Sequence, residues 1–163
     1  DTIRELLHYT DGKFASVTAL EPDRRSFRKL NEWASANIEG DVTLVHAGAW
    51  DRDEIRCFSD QAGRQSHVAN KGRETQMRAL DSVLNGRPCT YLKMDVEGAE
   101  REAIAGARQT IERDRPKLNI AAYHRSEDFF ELPLLIHSLC ADYALYLRHH
   151  PYVPAWDTNL YAR

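Results

Sequence analysis

"YLKMDVEGAE", residues 91–100, carries the chain from an apolar run into acid, glycine and acid again. An unpaired carboxylate is costly to bury, so Asp95 and Glu97 do not belong inside a strand. The stretch reads as a strand, "TYLKMD" at 90–95, that stops at its acids and turns into a helix, "AEREAIAGARQTIERD" at 99–114. Gly98 permits the tight turn, and Glu100 and Glu102 suit the positive N-terminal end of the helix. Ile104, Ala107 and Ile111 recur on its inward face.

The same alternation runs outward in both directions. "DTIRELLHYTDGK" opens the chain as a helix, with Ile3, Leu6 and Leu7 at helical spacing and Asp11-Gly12 as a stop. "ASVTALEP" is a strand, residues 23–37 a helix with Phe27, Leu30 and Ala34 on one face, and "VTLVHAGAW" a second strand. "EIRCF" and "TQMRAL" read as weaker strands around a polar loop. After the central strand–turn–helix come "KLNIAAYH" as strand, "SEDFFELPLLIHSLCADY" as an apolar helix that Pro133 kinks or bounds, and two late strands, "ALYLRHH" and "DTNLYAR". Strands alternating with helices imply βαβ units. The expectation is a three-layer α/β sandwich with a mainly parallel sheet and an antiparallel C-terminal strand pair.

Composition agrees with one soluble domain over residues 1–163. Hydrophobic residues make up 42% and charged residues 29%, which is globular rather than disordered. The net charge of −3 favours neither nucleic acid nor an anionic membrane. No apolar run approaches the ~20 residues of a membrane span, and no signal-peptide pattern opens the chain. Cys57, Cys89 and Cys140 are widely spaced without a CxxC pair, as reduced thiols of a cytoplasmic protein would be.

Ligands of open α/β sheets bind beyond the carboxyl ends of the strands. Glu21 ends the first strand, where an acid typically accepts hydrogen bonds from ribose hydroxyls; a solvated acid beside a helix cap at Asp23 is the alternative. Ala49 and Trp50 end the next, where a flat ring could approach the backbone, although Trp50 serves equally as core filling. Asp95 and Glu97 leave the third at the crevice mouth, unless both only cap the helix.

Three stretches together resemble the FkbM family of S-adenosylmethionine-dependent methyltransferases: "LEPD", "LKMDVEGAEREAIAGA" and "AAYHRSEDFFELPLLI". The "DVEGAE" turn is the specific part, and the resemblance runs from "DTIRELL" to "TNLYA". It implies a Rossmann-like fold, with S-adenosylmethionine as cofactor and methylation of a hydroxyl on a small-molecule or glycan acceptor. It further implies that Glu21 holds the ribose, Ala49 and Trp50 flank the adenine, and Asp95 faces the methionine end. By the same resemblance, Asp1 and Thr2 leave a glycine-rich loop whose strand should lie just upstream. That strand and loop are absent here, so the domain reads as N-terminally incomplete.

A hydroxyl acceptor must lose its proton as it attacks, and a base works best with a pKa near the operating pH. Asp95, Glu97 and His124, which ends "KLNIAAYH", are the candidates; His124 as a hydrogen-bonded structural residue is the competing reading. These three could hold a divalent ion, but their spacing requires none. His46 lies within a strand and reads as structural. His149 and His150 are adjacent and point to opposite faces of a strand. Residues 59–75, with Arg64, Gln65, Ser66 and His67, read as the acceptor-recognition loop, with an ordinary mobile surface loop as the alternative. The rivals are an NAD-dependent oxidoreductase, which would share Glu21, and a non-catalytic domain of the same fold.

Overall fold

A computed structural model of the chain describes residues 2–58, 73–151 and 158–163. The chain divides into two compact units, Asp1–Ala47 and Gly48–Arg163. The first unit runs α1 (Thr2–Tyr9), β1 (Val17–Leu20), α2 (Arg24–Asn37) and β2 (Val42–Val45). β1 and β2 pair in parallel, Val17 opposite Val42 through Leu20 opposite Val45. Asp23 caps α2, its side chain accepting the Ser26 N–H at 2.8 Å.

The second unit holds β3 (Gly48–Ala49), β4 (Glu54–Phe58), β5 (Arg73–Arg78), α3 (Leu80–Leu84), β6 (Tyr91–Met94), α4 (Glu100–Ala105), α5 (Arg108–Asp114), β7 (Lys117–Ala121), α6 (Asp128–Leu139), β8 (Leu145–His149) and β9 (Thr158–Ala162). Its strands make two sheets, β3-β5-β4 and β6-β7-β9-β8. The second is anchored by side chains with almost no exposure: Leu118 and Ile120 of β7, Leu160 of β9, Ile104 and Ile111 of α4 and α5, and Leu132 and Ile136 of α6. No helix among the described residues is long and apolar enough to cross a membrane.

The expected antiparallel pair at the C-terminus is present, β8 against β9 from Leu145–Ala162 to His149–Thr158. Other expectations need correction. In place of one mainly parallel sheet, the described strands form three sheets, and antiparallel pairings (β4 with β5, β7 with β9, β8 with β9) equal the parallel ones in number. "VTLVHAGAW" is interrupted at His46 and Ala47, and Gly48–Ala49 pair with β5 rather than continuing β2. The "TQMRAL" strand ends at Arg78, where α3 takes over; Asp53 accepts from Ala79 N–H at 2.9 Å and from the Ser82 hydroxyl, holding that turn. α6 passes through Pro133 without ending.

The helix expected over residues 99–114 is two helices, broken at Gly106 and Ala107. A Cβ at Gly106 would lie 1.9 Å from the Trp50 carbonyl oxygen, so only glycine lets the two backbones approach. α5 then restarts on Asp81, whose carboxylate accepts from the Gln109 and Thr110 N–H groups at 2.9 Å and from the Thr110 hydroxyl at 2.7 Å.

Candidate active site

β6 and β7 run parallel, Met94 beside Ile120, so the residues after each strand emerge at the same end. Asp95 follows one strand; Tyr123 and His124 follow the other. The turn from β6 into α4 places Glu97 at φ 55° and Gly98 at φ 90°. The left-handed region suits glycine but is uncommon for glutamate. At Gly98 a Cβ would also stand 3.3 Å from Arg125 Nε and 3.7 Å from His124 Cβ.

This turn gathers carboxylates around one imidazole. His124 Nε2 lies 3.5 Å from Asp95 Oδ1 and 3.4 Å from Glu97 Oε2, and Nδ1 lies 2.8 Å from Glu100 Oε1. Glu100 opens α4 and is 1% exposed. Its Oε1 also accepts the Val96 N–H at 3.0 Å. The Tyr123 hydroxyl donates to Asp95 at 3.3 Å, and the Tyr123 ring stands 4.2 Å from the imidazole. Asp128, buried at the start of α6, accepts the Arg125 N–H at 3.2 Å.

Burial works against charge on His124. The hydrogen bond to Glu100 and the charges of Glu100, Asp95 and Glu97 outweigh it and raise the imidazole pKa. Burial, then the Glu100 charge, raises the Asp128 carboxyl, with the Arg125 N–H and the Arg125 and His124 charges opposing. The arrangement can take up a proton on His124 and stabilise the imidazolium that results. Asp95, Glu100 and His124 also each offer one ligand atom, all within 4.8 Å of one another, which is the nearest thing to a metal-ligand group among the described residues.

The model of the Methyltransferase FkbM domain matches residues 3–154. The chain belongs to the FkbM methyltransferase domain family. It is also similar to the crystal structure of Methyltransferase FkbM from Methylobacillus flagellatus, with a TM-score of 0.80 and 32% sequence identity. The match covers 99% of this chain and 40% of that one, so the FkbM domain described here spans about two fifths of its neighbour's length. No curated protein matches the chain.

In this FkbM domain, the three residues expected to do proton chemistry, Asp95, Glu97 and His124, do converge. Glu21 follows β1 half-buried; one carboxylate oxygen accepts the Asp23 N–H at 2.8 Å. Burial raises its pKa, the Asp23 N–H opposing first, with Asp23 raising and His46 lowering it further. His46 stacks on Phe27 at 4.9 Å. Ala49 lies in β3, and Trp50 is buried with Met77, Ala99 and Val96 under the Arg56 guanidinium, 4.4 Å from the ring centre. Asp1 and the loop residues Arg64, Gln65, Ser66 and His67 lie outside the described residues. Sequence reasoning missed the burial of Glu100 and the parts of Tyr123 and Asp128. The signal for Glu100 was its place directly after the Gly98 turn, facing back toward "AAYH".

Proposed function

We propose that the protein transfers a methyl group from S-adenosylmethionine to a hydroxyl oxygen of a small-molecule or glycan acceptor, on a Rossmann-like frame. The observation that carries this reading is the approach of Asp95 and Glu97 to Nε2 of His124 where β6 and β7 end. Membership of the FkbM domain family supports methyl transfer as the reaction class. The acceptor oxygen attacks the sulfonium methyl in line; the new C–O bond forms as the C–S bond breaks. Sulfur keeps the electron pair and leaves as the neutral thioether of S-adenosylhomocysteine. The acceptor's proton passes to Nε2 of His124. Positive charge lost at sulfur thus reappears on the imidazolium, beside Asp95 and Glu97, where fixed carboxylates stabilise it without reorganising. Holding donor and acceptor in line contributes much of the remaining rate.

Within the first unit, Glu21 is the acid proposed for the donor's ribose hydroxyls, while Trp50, packed in the second unit's core under Arg56, fits the core-filling reading. Calorimetry with S-adenosylmethionine and S-adenosylhomocysteine tests it. Each charge-assisted hydrogen bond removed by Glu21→Ala contributes ~1.5–3 kcal/mol, and 1.4 kcal/mol is a factor of ten, so affinity should weaken roughly tenfold or more. Labelled donor offered with a panel of sugars and hydroxylated small molecules then tests transfer. Binding of NAD in place of S-adenosylmethionine by the full-length protein, or of neither, overturns the reading.

A further inference from the structure

We propose that Glu100 is the positioning residue of this reaction: its buried carboxylate holds the proton of neutral His124 on Nδ1 and leaves Nε2 to receive the acceptor's proton. The proposal rests on the methyl-transfer reading and deepens it. Glu100 Oε1 accepts the Val96 N–H at 3.0 Å, and as an acceptor oxygen 2.8 Å from Nδ1 it selects the tautomer with hydrogen on that nitrogen. Nε2 is then the basic nitrogen, and it is the one that Asp95 and Glu97 approach.

Two observations argue that this contact is functional rather than a helix-end ornament. Glu100 is 1% exposed, and among the described residues its Oε2 has no hydrogen-bond partner. Burying a carboxylate is costly unless its lone pairs are satisfied, and a residue chosen for stability alone would be apolar or amide there. Second, Glu97 in the turn before it holds φ 55°, a region uncommon for residues other than glycine. Asp11, Asn85 and Arg115 take the same region after helices, whereas Glu97 takes it in the turn that precedes one. Here it brings the Glu97 carboxylate to Nε2 while Glu100 enters from the opposite side of the ring. Among the described residues, Asp95 and Glu97 after β6, Glu100 on α4 and the Tyr123 ring stand around the imidazole, with Asp128 on α6 in electrostatic reach of His124 and of Arg125, the next residue in the chain. The raised pKa of His124 accords with the excess of carboxylates.

The test begins with histidine side-chain NMR on the 15N-labelled protein, titrated through the imidazole range, with His124 assigned by loss of its signals in His124→Asn. Wild type should show the Nδ1–H tautomer when neutral and a midpoint above the ordinary imidazole value. Glu100→Gln, which keeps the shape, should mix the tautomers and lower the midpoint, while Glu100→Asp should restore part of both. In methyl transfer, Glu100→Gln should lower kcat by ~10–100-fold, as loss of an orienting partner typically does, with acceptor KM and donor affinity near wild type. The rising limb of its pH–rate profile should move down with the NMR midpoint. An Nε2–H tautomer in wild type, or an unchanged tautomer and midpoint in a folded Glu100→Gln, overturns the assignment. So does activity lost to a chelator and restored by Mg²⁺ or Zn²⁺ with direct perturbation of Nε2, because that nitrogen would then be a ligand. The NMR arm needs no acceptor: an intact tautomer in a full-length protein that binds no S-adenosylmethionine overturns the methyl-transfer reading instead.

Discussion

Asp95→Asn separates charge from shape at the end of β6. The amide keeps the volume and can still accept from the Tyr123 hydroxyl, now 3.3 Å away. It removes negative charge beside Nε2 of His124. Ala99, at the start of α4, has no side-chain cap, and it is Glu100 that accepts the Val96 N–H, so the helix has little to lose at Asp95. Thermal stability should therefore change by less than about 1 kcal/mol, as at most surface sites. If Asp95 serves the proton transfer, turnover should fall by ~10²-fold or more, the lower range for acid–base catalysis. Assay and melting curve, run on one preparation, check both halves. Near-normal turnover would remove Asp95 from the chemistry and leave Glu97 and His124.

Gly106 is the corresponding test among the elements. It ends α4 where the Trp50 backbone passes, and a Cβ there would overlap a carbonyl that cannot rotate away. Gly106→Ala should destabilise by about 1–3 kcal/mol or more, the usual cost of overpacking. At about 2–4 °C per kcal/mol for a chain of this length, differential scanning calorimetry would register it clearly. A melting temperature at or above wild type would show that α4 and α5 can shift apart. This residue also marks the limit of what the sequence discloses. The strand ending at Met94 and the turn after it are legible because an apolar run meets acids and a glycine within a few residues. Asp95, Glu97 and His124 are legible as candidates because chemistry at strand ends follows from topology. The close approach at Gly106 is not, since the carbonyl that glycine admits there belongs to Trp50, far along the chain. Nor is the role of Glu100, whose partner lies 24 residues away. The division into three sheets is hidden for the same reason, because strand pairing is decided between distant segments.

At the scale of the molecule, the two units differ in how much they bury. Among the described residues, the buried apolar side chains of Asp1–Ala47 are Ile3, Ala34 and Ala47, and its sheet has two strands. The other unit has a four-stranded sheet and several side chains at 0–1% exposure. Opening free energy follows local burial, and two strands alone are marginal. Hydrogen exchange followed by mass spectrometry should find β1 and β2 exchanging faster than β7 and β9. Equal protection would mean that the chain opens only as a whole. The register of β6 on β7 carries a further consequence, for inheritance rather than chemistry. One codon inserted into or lost from 91–94 or 117–121 would slide Met94 off Ile120 and exchange inward for outward side chains, since strand side chains alternate. Substitutions leave that alignment untouched. Lineages of this domain should thus vary in letters along these strands but hold their length, and a scan of single-codon insertions scored for folding would show the two segments as closed to change.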